Sequence, residues 1–172
     1  ADFGTLFHKS AELAYDRLTE RGNMVHDFEI EALIKDDMTI EHFVDEAFRQ
    51  DFFHTPEGTP LPYNGTQLIV RHVIKKYLIM LLQLDKRRTP FQYIDSERPV
   101  YYPITIESHG IQLPIMLGGT VDRIDSKEGI TRIIDYKTGG KQKTIKKVED
   151  LFYNDKRDGY VFQAFYYAHL LQ

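Results

Sequence analysis

Three charged side chains, Asp122, Asp135 and Lys137, interrupt two segments that otherwise read as β-strands, GGTVDRID and GITRIIDYKTG. With SKEG (126–129) taken as the turn between them, Asp125 faces Ile130 and Asp122 faces Ile133. Side chains alternate across a strand, so Asp122, Asp135 and Lys137 share one face. The two aspartates are then diagonal neighbours, with Cα atoms ~7–8 Å apart. Carboxylates at that separation can lean onto one divalent cation; without it they repel, and one tends to keep its proton. The ammonium of Lys137 has no lone pair for a metal, so its use is to hold an anion or an attacking water beside it. Two carboxylates, one metal ion and one lysine make a toolkit for phosphodiester hydrolysis. The plain alternative is an edge strand that carries Asp and Lys to discourage pairing with another chain. Against it, the charge breaks an apolar run, and Gly118 and Gly119 just ahead admit close approach of a backbone or a ligand.

The elements that must position these residues follow from periodicity. Phe3, Phe7, Ala11, Ala14 and Leu18 recur at helical spacing, and RGN stops the pattern. Residues 25–53 hold one or two shorter helices, with Thr39 and Glu41 resembling a capping box. HTPEGTPLPYNGT is a loop, and Asn64 caps a long, largely buried helix through QLIVRHVIKKYLIMLLQLDKRR. After Thr89 the chain becomes rich in Ile, Val, Tyr and Thr, with SHG and SKEG as hairpin turns of an antiparallel meander. A Lys-rich segment, KQKTIKKVEDLFYN, and an aromatic helix starting near Asp158 follow. Helices, then a meander, then helices predict an α/β fold with one sheet.

Composition narrows the chemistry. The 172 residues, 42% of them hydrophobic with eleven Phe and eleven Tyr, suit one domain, 1–172, with a sizeable core. A net charge of -4 argues against an overall basic coat for nucleic acid, leaving room for a local patch. The absence of cysteine excludes disulfides, thiolate zinc, iron–sulfur clusters and a Cys nucleophile within this chain, so a metal must be held by oxygen and imidazole. The longest apolar run, YLIMLLQL, is far too short to span a membrane, and no secretory signal is visible. A soluble, cytoplasmic protein is the expectation. The abrupt opening at ADFGTLFH and the end inside an apolar pattern at YYAHLLQ predict a piece of a larger protein.

Four short motifs stand in order: GTLFH (Gly4 to His8), GTVD (Gly119 to Asp122), DYK (Asp135 to Lys137) and QAFYY, which holds Gln163 and Tyr167. Together they resemble the PD-(D/E)XK nuclease superfamily, and within it the RecB/AddB-type exonuclease domain. The ordered set spans nearly the whole chain. The resemblance implies a restriction-endonuclease-like core, a central mixed sheet with an antiparallel meander flanked by helices, with a helical elaboration at about 21–90. It implies a magnesium- or manganese-dependent deoxyribonuclease, exonuclease in type, in DNA repair or recombination. His8, Asp122 and Asp135 become metal ligands, the carbonyl of Tyr136 adds an oxygen, and Lys137 positions the attacking water. Gln163 and Tyr167, one helical turn apart, shape the site or hold DNA. Relatives of the AddB type often carry cluster cysteines, which this chain lacks.

Other residues join by position. Glu12 follows His8 by one turn and can orient its ring, and Glu97 precedes the meander. Lys141, Lys143, Lys146 and Lys147 follow the catalytic strand and can contact phosphates, as can Lys156 and Arg157. No Gly-x-x-x-x-Gly-Lys-Ser/Thr loop occurs, so ATP hydrolysis falls to a partner helicase domain or subunit. The rival readings are a non-catalytic DNA-binding or scaffolding module on the same fold, and a phosphohydrolase acting on small molecules.

Overall fold

The computed structural model describes residues 2–139, 145, 147–152 and 159–171. Its elements run α1 (Phe3–Thr19), β1 (Met24–Val25), α2 (Asp27–Lys35), α3 (Asp37–Ala47), a π-helical turn (Phe48–Phe53), α4 (Gly65–Lys86), β2 (Phe91–Ser108), β3 (Ile111–Lys127), β4 (Ile130–Ile134), a 3-10 turn (Val148–Phe152) and α5 (Gly159–Leu170). The four strands form one antiparallel sheet in chain order, β1-β2-β3-β4, with helices before and after it in the sequence. This is the α/β meander that the composition shift after Thr89 predicts.

The described residues gather into two compact units. The first takes Ala1–Ile94, Asp125–Thr131 and Tyr136–Thr138; the second takes Asp95–Ile124, Arg132–Asp135 and Gly139–Gln172. Both β2 and β3 therefore contribute residues to each unit.

The first unit is built on helices. Asp2 caps α1, accepting from the Thr5 amide at 2.9 Å, and the face Phe7, Ala11, Ala14, Leu18 is buried at the expected spacing. Helix α3 starts at Asp37, and its cap is Asp36, which accepts from Thr39 N at 3.1 Å. Thr39 therefore lies inside the first turn, because a carboxylate three residues earlier satisfies its amide better than its own hydroxyl satisfies a neighbour's. Asn64 caps α4 as expected, in a reciprocal box with Gln67. Arg71 of α4 binds Asp45 and Glu41 of α3, and the Tyr63 hydroxyl donates to the same Asp45. Burial, then that hydrogen bond, push the Tyr63 hydroxyl far above its usual pKa, so it stays a donor. At the far end of α4, the Lys127 ammonium donates to the carbonyls of Arg88 (2.7 Å) and Thr89 (3.4 Å). A cation there suits the negative end of the helix. It also ties the tip of the β3–β4 hairpin to α4 inside this unit.

The second unit has a smaller core: Val100, Val121, Ile124, Tyr167 and Leu170, with Leu117, Ile133, Tyr166 and Leu171 at its edge. The β2–β3 connection is the two-residue turn His109–Gly110, both at positive φ (52° and 75°), the mirror-image turn that matches strand twist. Among the described residues no helix is long and apolar enough to cross a membrane.

Candidate active site

The β3–β4 turn is shorter than SKEG. Ser126 and Lys127 belong to β3, and only Glu128 (φ 53°) and Gly129 (φ 78°) turn the chain. A two-residue turn of this kind sets Lys127 opposite Ile130. The shorter turn shifts the expected hairpin register, setting Lys127 rather than Asp125 opposite Ile130. Asp122 lies within β3, five residues before Lys127, and Asp135 lies just past the end of β4 at Ile134.

The stretch Val121–Asp125 is buried throughout, including Asp122 (7% exposed), Arg123 (1%) and Asp125 (0%). Burying charge is costly without partners, and none of these three lacks one. From Val121 to Asp125 residues of both faces of β3 are covered, so burial no longer alternates along the strand. Glu97, on β2, brings a carboxylate oxygen within 4.8 Å of one from Asp122; Asp135 is not part of this close grouping. Glu97 has φ 46°, a left-handed conformation that costs a non-glycine residue ~1 kcal/mol or more. Such a residue inside a strand bends it and re-aims a side chain. Two carboxylates this close, one of them buried, repel unless a proton or a cation sits between them. Oxygen donors at this spacing fit a hard divalent ion.

In the first unit, Nε2 of His8 lies 3.2 Å from the main-chain carbonyl oxygen of Tyr136. That separation serves an N–H···O bond in one tautomer. It equally serves two neighbouring ligands of an octahedral ion, which sit ~3 Å apart when each is ~2.1 Å from the metal. Gly4 lies one turn before His8 on the same face of α1, and a Cβ there would stand 3.6 Å from the Thr138 hydroxyl. Gly4 thus lies beside Tyr136–Thr138, the segment carrying Lys137, and the tightest neighbour of that Cβ would be the capping carboxylate of Asp2 at 3.3 Å. The Tyr136 ring closes this contact, edge-on to Phe7 and to His8 at 5.6 Å each. Glu12, one turn further on, pairs with Lys9 at 2.8 Å.

In the second unit, the Gln163 side-chain amide donates to the Tyr167 hydroxyl at 2.9 Å. The Tyr167 ring packs on Gly119, where a Cβ would stand 2.8 Å from Cε1 and 3.2 Å from the hydroxyl. Tyr166 donates to the carbonyl of Gly118 at 3.1 Å. The second and fourth motifs of the sequence thus meet through Gly119 and Tyr167, three residues before Asp122. Gly119→Ala is expected to cost about 1–3 kcal/mol, because the added methyl must displace a buried ring. Urea unfolding measures this, and Gly139→Ala, with nothing within 4 Å of the methyl it would gain, is the control. Equal stability of the two variants would remove the seat assigned to Tyr167.

Lys141, Lys143, Lys146, Lys156 and Arg157 lie outside the described residues, and Lys147 is exposed. Sequence reasoning noted Glu97 but gave it no register. Its neighbours Arg98 and Pro99 hinted at irregular backbone, yet no local pattern announces a left-handed glutamate.

A family model described as the PD-(D/E)XK nuclease superfamily matches residues 1–172. No curated protein and no solved structure matches the chain.

Proposed function

The chain belongs to the PD-(D/E)XK nuclease superfamily, and from that membership we propose a divalent-metal-dependent deoxyribonuclease of the RecB/AddB type. The reading is of an exonuclease in DNA repair or recombination, acting in the cytoplasm beside a helicase domain or subunit. Residues 1–172 serve as one nuclease domain with a helical elaboration at about 21–90. Its antiparallel meander is consistent with a restriction-endonuclease-like core.

The observation that carries the proposal is the pair of crowded carboxylates, Glu97 and Asp122, in a chain of this family. In this reading His8, Asp122, Asp135 and the Tyr136 carbonyl hold magnesium or manganese, with Glu97 as a further oxygen donor. When bound, the ion supplies positive charge against the phosphate and favours deprotonation of a nearby water. Lys137 holds that water, or a non-bridging phosphate oxygen, in line with the scissile bond. Its charge offsets the negative charge that develops as water adds to phosphorus and the P–O bond to the leaving group breaks. Gln163, which donates to the Tyr167 hydroxyl, and Tyr167 shape the site or hold DNA. Lys141 and Lys143 grip flanking phosphates. The test is a cleavage assay on linear and circular DNA with magnesium, manganese or calcium. Cleavage with the first two, little with calcium, and a preference for linear substrate are expected. Equal cleavage in chelator would end the metal-dependent reading.

A further inference from the structure

The β2–β3 hairpin carries a feature that neither the metal ligands nor the phosphate contacts use. Pro99–Ile106 and Ile111–Val121 contain no charged residue at all. The His109–Gly110 turn pairs Ser108 with Ile111, and therefore Tyr101 with Gly118. The structure agrees: a Cβ on Gly118 would stand 2.6 Å from Cδ1 of Tyr101, so the tyrosine ring lies across the glycine. One side of the ring is backed by main chain, yet the residue is 69% exposed. Gly118 precedes Asp122 by four residues on the continuous strand β3. Strand alternation places both on one face, ~13 Å apart at 3.2–3.4 Å per residue. Thr120, small and exposed, is the one side chain between them on that face.

We propose that Tyr101 is a stacking platform for an unpaired base of the DNA strand being cut, a few nucleotides from the scissile phosphate. This rests on the nuclease reading and deepens it by naming the substrate as single-stranded next to the cut. An uncharged surface cannot grip phosphates, whereas a flat exposed ring offers a π-face that any unstacked base can use. Duplex DNA keeps its bases inside, so the platform serves only a strand whose bases are free. Gly118 has a role in this account: it lets the ring lie flat along the strand instead of standing off it.

The test measures binding in calcium of an oligodeoxythymidine and of a blunt duplex, to the parent chain and to Tyr101→Ala, Tyr101→Leu and Tyr101→Phe. Stacking on one aromatic predicts roughly tenfold weaker single-strand binding for the Ala variant. The Leu variant should lose as much, although it still covers Gly118, and the Phe variant should bind like the parent. Duplex binding should stay unchanged throughout. An oligonucleotide series with one abasic site moved along the strand should reveal a position where the missing base costs the parent the same factor. At that position Tyr101→Leu should lose nothing more. A Leu variant with parent affinity, or abasic and Tyr101 effects that multiply, would overturn the platform while cleavage by the parent left the nuclease reading standing. A parent chain that cleaves no DNA would instead bring down the reading on which the platform rests.

Discussion

Asp122→Asn is expected to lower DNA cleavage at least ~10³-fold, the loss that follows when several kcal/mol of metal-supplied transition-state stabilisation disappear. Asn keeps the shape of the side chain and one oxygen, so the fold should persist; it removes the charge that makes the position a ligand. Asp135→Asn should behave alike. The second readout is thermal. An ion that binds only the folded chain raises its melting temperature by mass action. Manganese should raise it for the parent and do so far less for either variant. His8→Ala, which removes an uncharged donor, should fall between. Cleavage by both Asn variants at the parent rate would refute the assignment of these carboxylates, and a full manganese shift without cleavage would move them from ligands to some other catalytic part.

Lys137→Ala should separate charge from coordination. Loss of one preorganised cationic donor costs ~10²–10³ in turnover in comparable sites, while the metal-induced thermal shift should match that of the parent. Lys137→Arg should restore little, since a planar guanidinium cannot stand in for a compact ammonium that must also approach a water. Calorimetric titration with manganese is the direct measure. Weakened metal binding in a folded Lys137→Ala chain would place the lysine among the groups that shape the site, and parent-like turnover would remove it from the chemistry.

The expectation that Asp122, Asp135 and Lys137 share a face needs only strand alternation and spacing, which survive a change of register; the chemistry assigned to them belongs to the proposal. The register itself was not legible in the sequence. SKEG offers two ways to turn, and the shorter one places a glutamate at positive φ, where Asn, Asp or Gly is the usual choice. The grip of Lys127 on the end of α4 joins residues far apart in sequence, so no local propensity could report it. β1 was also invisible: two residues, Met24 and Val25, paired with Gln92 and Phe91, are too few to show a period. The helical unit was the most predictable, since Asn64 and the Phe3-to-Leu18 face declare themselves locally. Even there, Thr39 and Asp36 competed for one cap, and the carboxylate won.

The left-handed glutamate at position 97 bears on any attempt to harden this protein. Glycine or asparagine would occupy that backbone conformation with less strain, so selection for heat tolerance alone rewards replacing the acid. The same replacement takes away a carboxylate that lies within 4.8 Å of that of Asp122. A library screened only for survival would drift toward sturdier, less active chains at this position, and one screened for turnover would hold the awkward residue in place.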